Sequence, residues 1–231
     1  MTENIFPRVL GSDLEFPSVN DACADGLLAI GGDLSTERVL LAYRSGIFPW
    51  YAQYSPILWW APDPRMILLP DELKVSDSMA RIMRGGRFEI TFDRDFPAVI
   101  DACSQVPRPG QDGTWITPEI LDAYVTLHEQ GYAHSVEAWQ EGRLAGGLYG
   151  ITLGKAFFGE SMFAHQSNAS KAALIRLVDC LRKHDYDFID CQVHTPHLES
   201  LGARPVARSN FMKMLDQALQ GGEEFGSWDA N

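Results

Sequence analysis

Hydrophobic positions along the chain change period near Gly131. Before it they recur at helical spacing in four segments: Thr36 to Ser45, Asp77 to Arg84, Phe96 to Cys103 and Pro118 to Gln130. Ser35 stands as N-cap of the first, with Gly46 just past its end. Thr117 followed by Pro118 opens the last, which stops at Gly131. After that glycine the period becomes two. Ala133 to Trp139, Arg143 to Thr152 and Lys155 to Phe163 read as three antiparallel strands, turned at Glu141-Gly142 and Leu153-Gly154. From Ala169 to His184 the residues Leu174, Leu177, Val178 and Leu181 form one apolar stripe, capped by Asn168 or Ser167. A strand over Asp187 to Val193, a short helix from Thr195-Pro196 to Gly202 and a last helix from Asn210 to Gln220 complete an α+β pattern whose sheet carries the site.

Two stretches fall outside this pattern. Val106 to Gly113 is a Pro/Gly-rich loop. Up to about residue 65, apart from the one helix, aromatic segments broken by proline read as loops and turns: Gly46-Ile47-Phe48-Pro49-Trp50-Tyr51 and Leu58-Trp59-Trp60-Ala61-Pro62-Asp63-Pro64. A boundary near Arg65 divides a small N-terminal domain, 1–65, from a larger one, 66–231. Trp59 and Trp60 cannot share a face in extended backbone, so one of them is expected at a groove or at the junction of the two domains.

At 45% hydrophobic and 22% charged, the 231 residues suit a soluble globular protein and exclude fibrous and disordered classes. Nineteen basic against 31 acidic residues give a net charge of -12, so the overall field does not attract a nucleic acid and any such partner is held locally. Two basic islands are available, Lys74 to Arg94 and Arg204 to Lys213. Four scattered cysteines form no disulfide framework, which points to a reducing cytoplasm. Met1 to Asp13 has no leader pattern, and no run of eighteen apolar residues exists to span a membrane.

Strict alternation on the strand from Asp187 puts Phe188, Asp190 and Gln192 on one face and Ile189, Cys191 and Val193 on the other. Asp190 is then either a functional carboxylate or a structural one, paired with an arginine or capping a loop. Glu160 sits among Phe157, Phe158, Met162 and Phe163, next to a mid-strand Gly159, and suits either a cation or hydrogen-bond site or a solvent-facing position. The turn from Ala164 to Lys171 offers backbone N–H groups, hydroxyls and a lysine, as anion sites and plain helix caps both do. Cys191, His194 and His197 are not expected to bind metal, since they straddle a strand end and a helix start with no fourth ligand. Tyr43, Phe48, Trp50, Tyr51, Trp59, Trp60 and Trp115 are either core or a stacking surface for a nucleobase.

Six ordered motifs resemble leucyl/phenylalanyl-tRNA-protein transferase across nearly the whole chain. They are Gly26 to Leu34, Tyr43 to Trp50, Leu58 to Arg65, Gly113 to Thr117, Gly159 to Phe163 and Ile189 to Gln192. The resemblance implies a cytoplasmic bacterial enzyme whose second domain is like an N-acetyltransferase; an already activated ester needs no cofactor or metal, and a monomer is the default expectation. The enzyme takes Leu, Phe or less readily Met from aminoacyl-tRNA and joins it to an N-terminal Arg or Lys of a protein, marking that protein for N-end rule degradation. Asp190 and Gln192 match the family's proposed catalytic pair, the aspartate orienting and activating the attacking amine through the amide. Tyr43, Trp50 and Trp115 match residues around the terminal adenosine and the entrance. Glu160 matches a glutamate at the aminoacyl end, with Leu148, Phe157 and Met162 forming the side-chain pocket. Leu148 stands where methionine is expected and Thr195 where asparagine is expected. The rival enzyme on this fold, a small-molecule N-acetyltransferase, needs a glycine-rich pyrophosphate loop that His165 to Ser170 lacks. A noncatalytic tRNA- or peptide-binding adaptor is the rival of another class.

Overall fold

The first strands are short enough to escape any periodicity. In the computed structural model, which describes residues 6–106 and 114–222, β1 (Arg8–Leu10), β2 (Leu27–Gly31), β3 (Phe48–Pro49) and β4 (Leu58–Trp60) form a sheet in the order β1-β2-β4-β3. Helix α1 (Thr36–Arg44) lies between β2 and β3 in the chain. The reading of this stretch as loops and turns is therefore corrected, because segments of two to five residues cannot display an alternation. Of the loop expected over Val106 to Gly113, all but Val106 lies outside the described residues.

The chain then enters a second sheet. Its elements are β5 (Arg65–Leu68), α2 (Asp77–Arg84), β6 (Glu89–Phe92), α3 (Phe96–Ser104), α4 (Pro118–Glu129), β7 (Ala133–Gln140), β8 (Arg143–Leu153), β9 (Ala156–Ala164), α5 (Ala169–Lys183), β10 (Phe188–Gln192), α6 (Pro196–Ser200), β11 (Arg204–Val206) and α7 (Arg208–Leu219). The strand order is β11-β5-β10-β9-β8-β7-β6. Strands β7, β8 and β9 form the expected antiparallel meander, and β10 joins it parallel to β9. Glu141 and Gly142, with φ of 53° and 72°, make the first hairpin a mirror-image turn that follows the strand twist. The second hairpin turns one residue later than expected, because β8 runs through Leu153 before Gly154 adopts a φ of 55°. Strands β5, β6 and β11 have no counterpart in the sequence reading. The architecture is mixed α+β.

Helix α5 covers one face of this sheet. Its stripe of Leu174, Leu177, Val178 and Leu181 packs in one cluster with Leu148, Phe157 and Ile189. The opposite face packs against α3, α4, α7 and the small sheet. There a single cluster runs from Trp59, Val39 and Tyr43 through Tyr124 and Phe96 to Phe158, Phe188 and Phe211. The two sheets thus share a core.

Two bulges shape the centre. Between β8 and β9 the register jumps from Tyr149↔Ser161 to Gly150↔Gly159, leaving Glu160 as the extra residue. Between β5 and β10 it jumps from Ile67↔Asp190 to Met66↔Gln192, leaving Cys191 extra. Strands β9 and β10 pair only as far as Phe158 and Asp190, so they part where both bulges lie. Gly150 makes the first bulge possible: a Cβ there would come within 2.2 Å of the Phe158 carbonyl oxygen and 2.5 Å of the Phe157 ring. Gly150→Ala is expected to lower stability by about 2–3 kcal/mol through overpacking. A chemical-denaturation midpoint equal to that of the unaltered protein would refute this.

Candidate active site

A cavity of about 750 Å³ opens where β9 and β10 part. Its apolar wall comes from Leu148, Phe157, Met162, Leu174, Leu177 and Ile189, with Phe48, Trp50 and Trp115 on the side of the small sheet. Glu160, Ser161, Cys191 and Gln192 are its polar lining, joined by His194 and Thr195 just before α6 and His197 in its first turn. The bulges explain how so many polar groups reach an apolar space. An extra residue re-aims the side chains that follow it, and Gln192 adopts a φ of 62° at the second bulge.

The same bulge overturns strict alternation on β10. Ile189, Cys191 and Val193 line the cavity, and Gln192 joins them, whereas Asp190 does not. Asp190 is fully buried and holds a bidentate ion pair with Arg65, Nε to Oδ1 at 2.8 Å and Nη2 to Oδ2 at 2.6 Å. The backbone N–H of Gln192 also donates to its Oδ1, at 2.9 Å. Asp190 is therefore tied to the cavity lining through the backbone of Gln192. Arg65 is itself 1% exposed. Its guanidinium lies between the Phe48 and Phe211 rings, 4.7 Å from each centroid, and donates to the Gly46 carbonyl at 3.1 Å.

Glu160 is held from three directions. The Tyr43 hydroxyl from α1 lies 2.7 Å from its Oε1, the Tyr124 hydroxyl from α4 lies 3.1 Å from its Oε2, and Gln192 Nε2 donates to its Oε1 at 2.8 Å. Burial pushes its carboxyl up to about 7, with the Asp190 charge adding to the rise and the three hydrogen bonds opposing it. Burial likewise drives the phenols of Tyr43 and Tyr124 well above their usual range. Below about pH 4.5 the Glu160 carboxyl is protonated whether the chain is folded or not. Between there and about 7 the unfolded chain releases a proton that the folded protein keeps. Stability should therefore fall by roughly 3 kcal/mol as pH rises through that window. Glu160→Gln should lack this slope, and parallel urea-midpoint profiles for the two proteins would refute it.

Of the residues singled out in the sequence, Trp50, Trp115, Leu148, Phe157, Glu160, Met162 and Gln192 line this one cavity. Tyr43 does not: it is fully buried behind Glu160, not at an entrance. Arg65 and Tyr124 were missed. Their signal was weak, an arginine closing one of the six motifs and a tyrosine on a helix. Trp59 is core, its indole donating to the Gly31 carbonyl, and Trp60 packs on Trp50 with ring centroids 5.7 Å apart. Thr195 caps α6 by accepting from Leu198 N–H. In the turn before α5 the backbone N–H groups of His165 and Gln166 both donate to the Ala145 carbonyl, so they are not open to an anion. Among the described residues no group of three or more His, Cys, Asp or Glu is gathered for a metal ion. Burial raises the Cys191 thiol strongly, while burial and then Lys171 lower His197. Within the basic islands, Arg94 and Arg204 pair with Glu89 and Glu72. No helix among the described residues is long and apolar enough to cross a membrane.

Comparison with known proteins bears on this geometry. Among solved structures, a ribosomal-protein-alanine N-acetyltransferase from Brucella melitensis biovar Abortus 2308 aligns at 15% identity with a TM-score of 0.35, over 49% of this chain and 86% of that one. A GCN5-related N-acetyltransferase from Kribbella flavida aligns at 10% identity with a TM-score of 0.37, over 73% and 60%. Sequence relatives are far nearer. A protein of Anaeromyxobacter sp. (strain Fw109-5) is 54% identical over 220 residues, 95% of this chain and 94% of that one. One of Syntrophobacter fumaroxidans is 53% identical over 220 residues, again 95% and 94%, and one of Chromobacterium violaceum is 50% identical over 222 residues, 95% of each. All three are named leucyl/phenylalanyl-tRNA-protein transferase. Residues 67–216 match the family of that name, and residues 32–63 match its N-terminal domain. With half or more of its residues shared along nearly its whole length, and with both family segments in order, the chain belongs to the leucyl/phenylalanyl-tRNA protein transferase family.

Proposed function

We propose that this protein moves leucine, phenylalanine and, less readily, methionine from aminoacyl-tRNA to the N-terminal Arg or Lys of acceptor proteins, marking them for N-end rule degradation in the cytoplasm. The observation that carries this reading is the cavity itself, an apolar chamber that ends on Glu160 and Gln192. Leu148, Phe157 and Met162 favour an apolar side chain by burying its surface and exclude a charged one by its desolvation cost. One methylene is worth only about 1–3 kcal/mol, so methionine is tolerated. On this reading residues 1–65 supply the aromatic wall that receives the terminal adenosine, with Trp50 stacking beside Trp115, and residues 66–231 supply the side-chain pocket.

The aminoacyl ester is already activated, so the chain's task is alignment and stabilisation of the tetrahedral oxyanion. An α-amine with pKa near 8 is roughly a tenth neutral at pH 7. Gln192 donates through Nε2 to Glu160, which leaves its Oε1 to accept from the attacking amine and orient its lone pair toward the carbonyl. Asp190 and Arg65 fix the backbone that presents this amide. An acidic surface, net -12, suits a cationic acceptor N-terminus.

The test is direct. The purified protein is incubated with radiolabelled Leu-tRNA and a peptide beginning with Arg, with a parallel reaction containing acetyl-CoA in place of the tRNA. Label in the peptide from Leu-tRNA alone is the expected result. Unlabelled peptide in active buffer, or transfer from acetyl-CoA, would sink the proposal.

A further inference from the structure

Two carboxyl groups interact at the cavity, Glu160 in its lining and Asp190 behind it, and among the described residues only Asp190 is paired with a cation. Asp190 is matched by Arg65 from β5. Glu160 is surrounded by Tyr43 from α1, Tyr124 from α4, and Gln192 and the like-charged Asp190 from β10. None of these neighbours is positive. Glu160 is half-buried, and a carboxylate largely withdrawn from water without a compensating charge is costly; the ordinary escape is to keep its proton.

Proton counting reaches the same result independently. Three oxygen pairs close a ring: Tyr43 Oη with Tyr124 Oη at 2.5 Å, Tyr43 Oη with Glu160 Oε1 at 2.7 Å, and Tyr124 Oη with Glu160 Oε2 at 3.1 Å. Each pair needs one proton between its oxygens, and each phenol supplies one. Gln192 brings its own N–H to Oε1 and lends none to the ring. The third proton can come only from the Glu160 carboxyl. Once Glu160 ionises, both phenols donate to it and the contact between them is left without a hydrogen.

We propose that Glu160 is protonated in the free enzyme and ionises when the α-ammonium of the aminoacyl group enters the cavity, so that a free amino group on the donor is required for tight binding. This rests on the transferase reading above. The step balances simply: the Glu160 O–H bond breaks, carboxylate and ammonium pair, and one proton leaves to solvent. If the amine arrives neutral, that proton passes to its nitrogen and none is released. An N-acylated donor has no basic nitrogen and cannot draw the proton away, so the site discriminates against it without any steric gate.

Two probes test this, 3′-deoxy-3′-(phenylalanylamino)adenosine, whose amide cannot transfer, and its N-acetyl derivative. Calorimetry at pH 6 in buffers of different ionisation enthalpy should show close to one proton released per free-amine probe bound. The N-acetyl probe should bind at least tenfold more weakly and release none, and Glu160→Gln should abolish the release. Equal binding of the two probes, or binding of the free amine without proton release, would overturn the proposal while leaving the transferase reading intact. Failure of both probes to bind would count against that reading instead. Carboxyl ¹³C resonances of glutamate-labelled protein, assigned through Glu160→Gln, then decide the proposal without ligand: a protonated Glu160 at pH 6 sustains it and an ionised one ends it.

Discussion

Arg65→Met is expected to lower the unfolding free energy by about 3–5 kcal/mol, because it strands a fully buried Asp190 without its counter-charge. In a chain of this size each kcal/mol moves the thermal midpoint by about 2–4 °C, so a drop of roughly 6–20 °C should be visible by calorimetry. Arg65→Lys should recover little. An ammonium cannot bond both carboxylate oxygens in one plane, nor lie flat between the Phe48 and Phe211 rings. Arg65→Met combined with Asp190→Leu should regain much of the stability, since well-packed apolar groups often replace a buried ion pair at little cost. It should not regain transfer, because the acceptor that fixes the Gln192 backbone is gone. An unchanged midpoint in Arg65→Met would show that the pair contributes nothing to the fold.

Gln192→Ala should reduce the single-turnover rate of transfer by about a hundredfold or more, the scale of misplacing the attacking group, with little change in the KM for aminoacyl-tRNA. The alanine keeps the backbone N–H that Asp190 accepts and removes only the amide that faces the cavity. Asp190→Asn should also slow chemistry, but through that amide. The two substitutions should then be far from additive, the double variant being scarcely slower than Gln192→Ala. Multiplying defects would mean that Asp190 reaches the reacting atoms by some other route. A wild-type rate in Gln192→Ala would remove the amide from the mechanism altogether.

The reach of sequence reasoning followed the range of the interactions involved. The meander announced itself through period-two alternation and the Glu141-Gly142 turn, and α5 through its stripe of Leu174, Leu177, Val178 and Leu181, all local signals. Strand β5 could not be read that way. Arg65-Met66-Ile67-Leu68 is buried at every position, and what makes it a strand is β10 and β11, far along the chain. The partner of Asp190 was hidden for the same reason, 125 residues away. Alternation on β10 broke at Cys191 because a bulge adds a residue without any mark in the sequence. Glu160 was legible as an acid among phenylalanines, but the tyrosines that hold it come from two helices, 117 and 36 residues upstream.

The place of β5 between β10 and β11 also governs the order in which the protein can be assembled on the ribosome. Met66, Ile67 and Leu68 are synthesised long before Phe188–Gln192 and Arg204–Val206, the two strands that flank and pair with them. At about 5–20 residues per second the nascent chain carries this unpaired apolar strand for roughly 6–24 seconds. Chaperone demand during translation should therefore centre on these few residues, and the N-terminal sheet must wait for the end of the chain before its core is sealed.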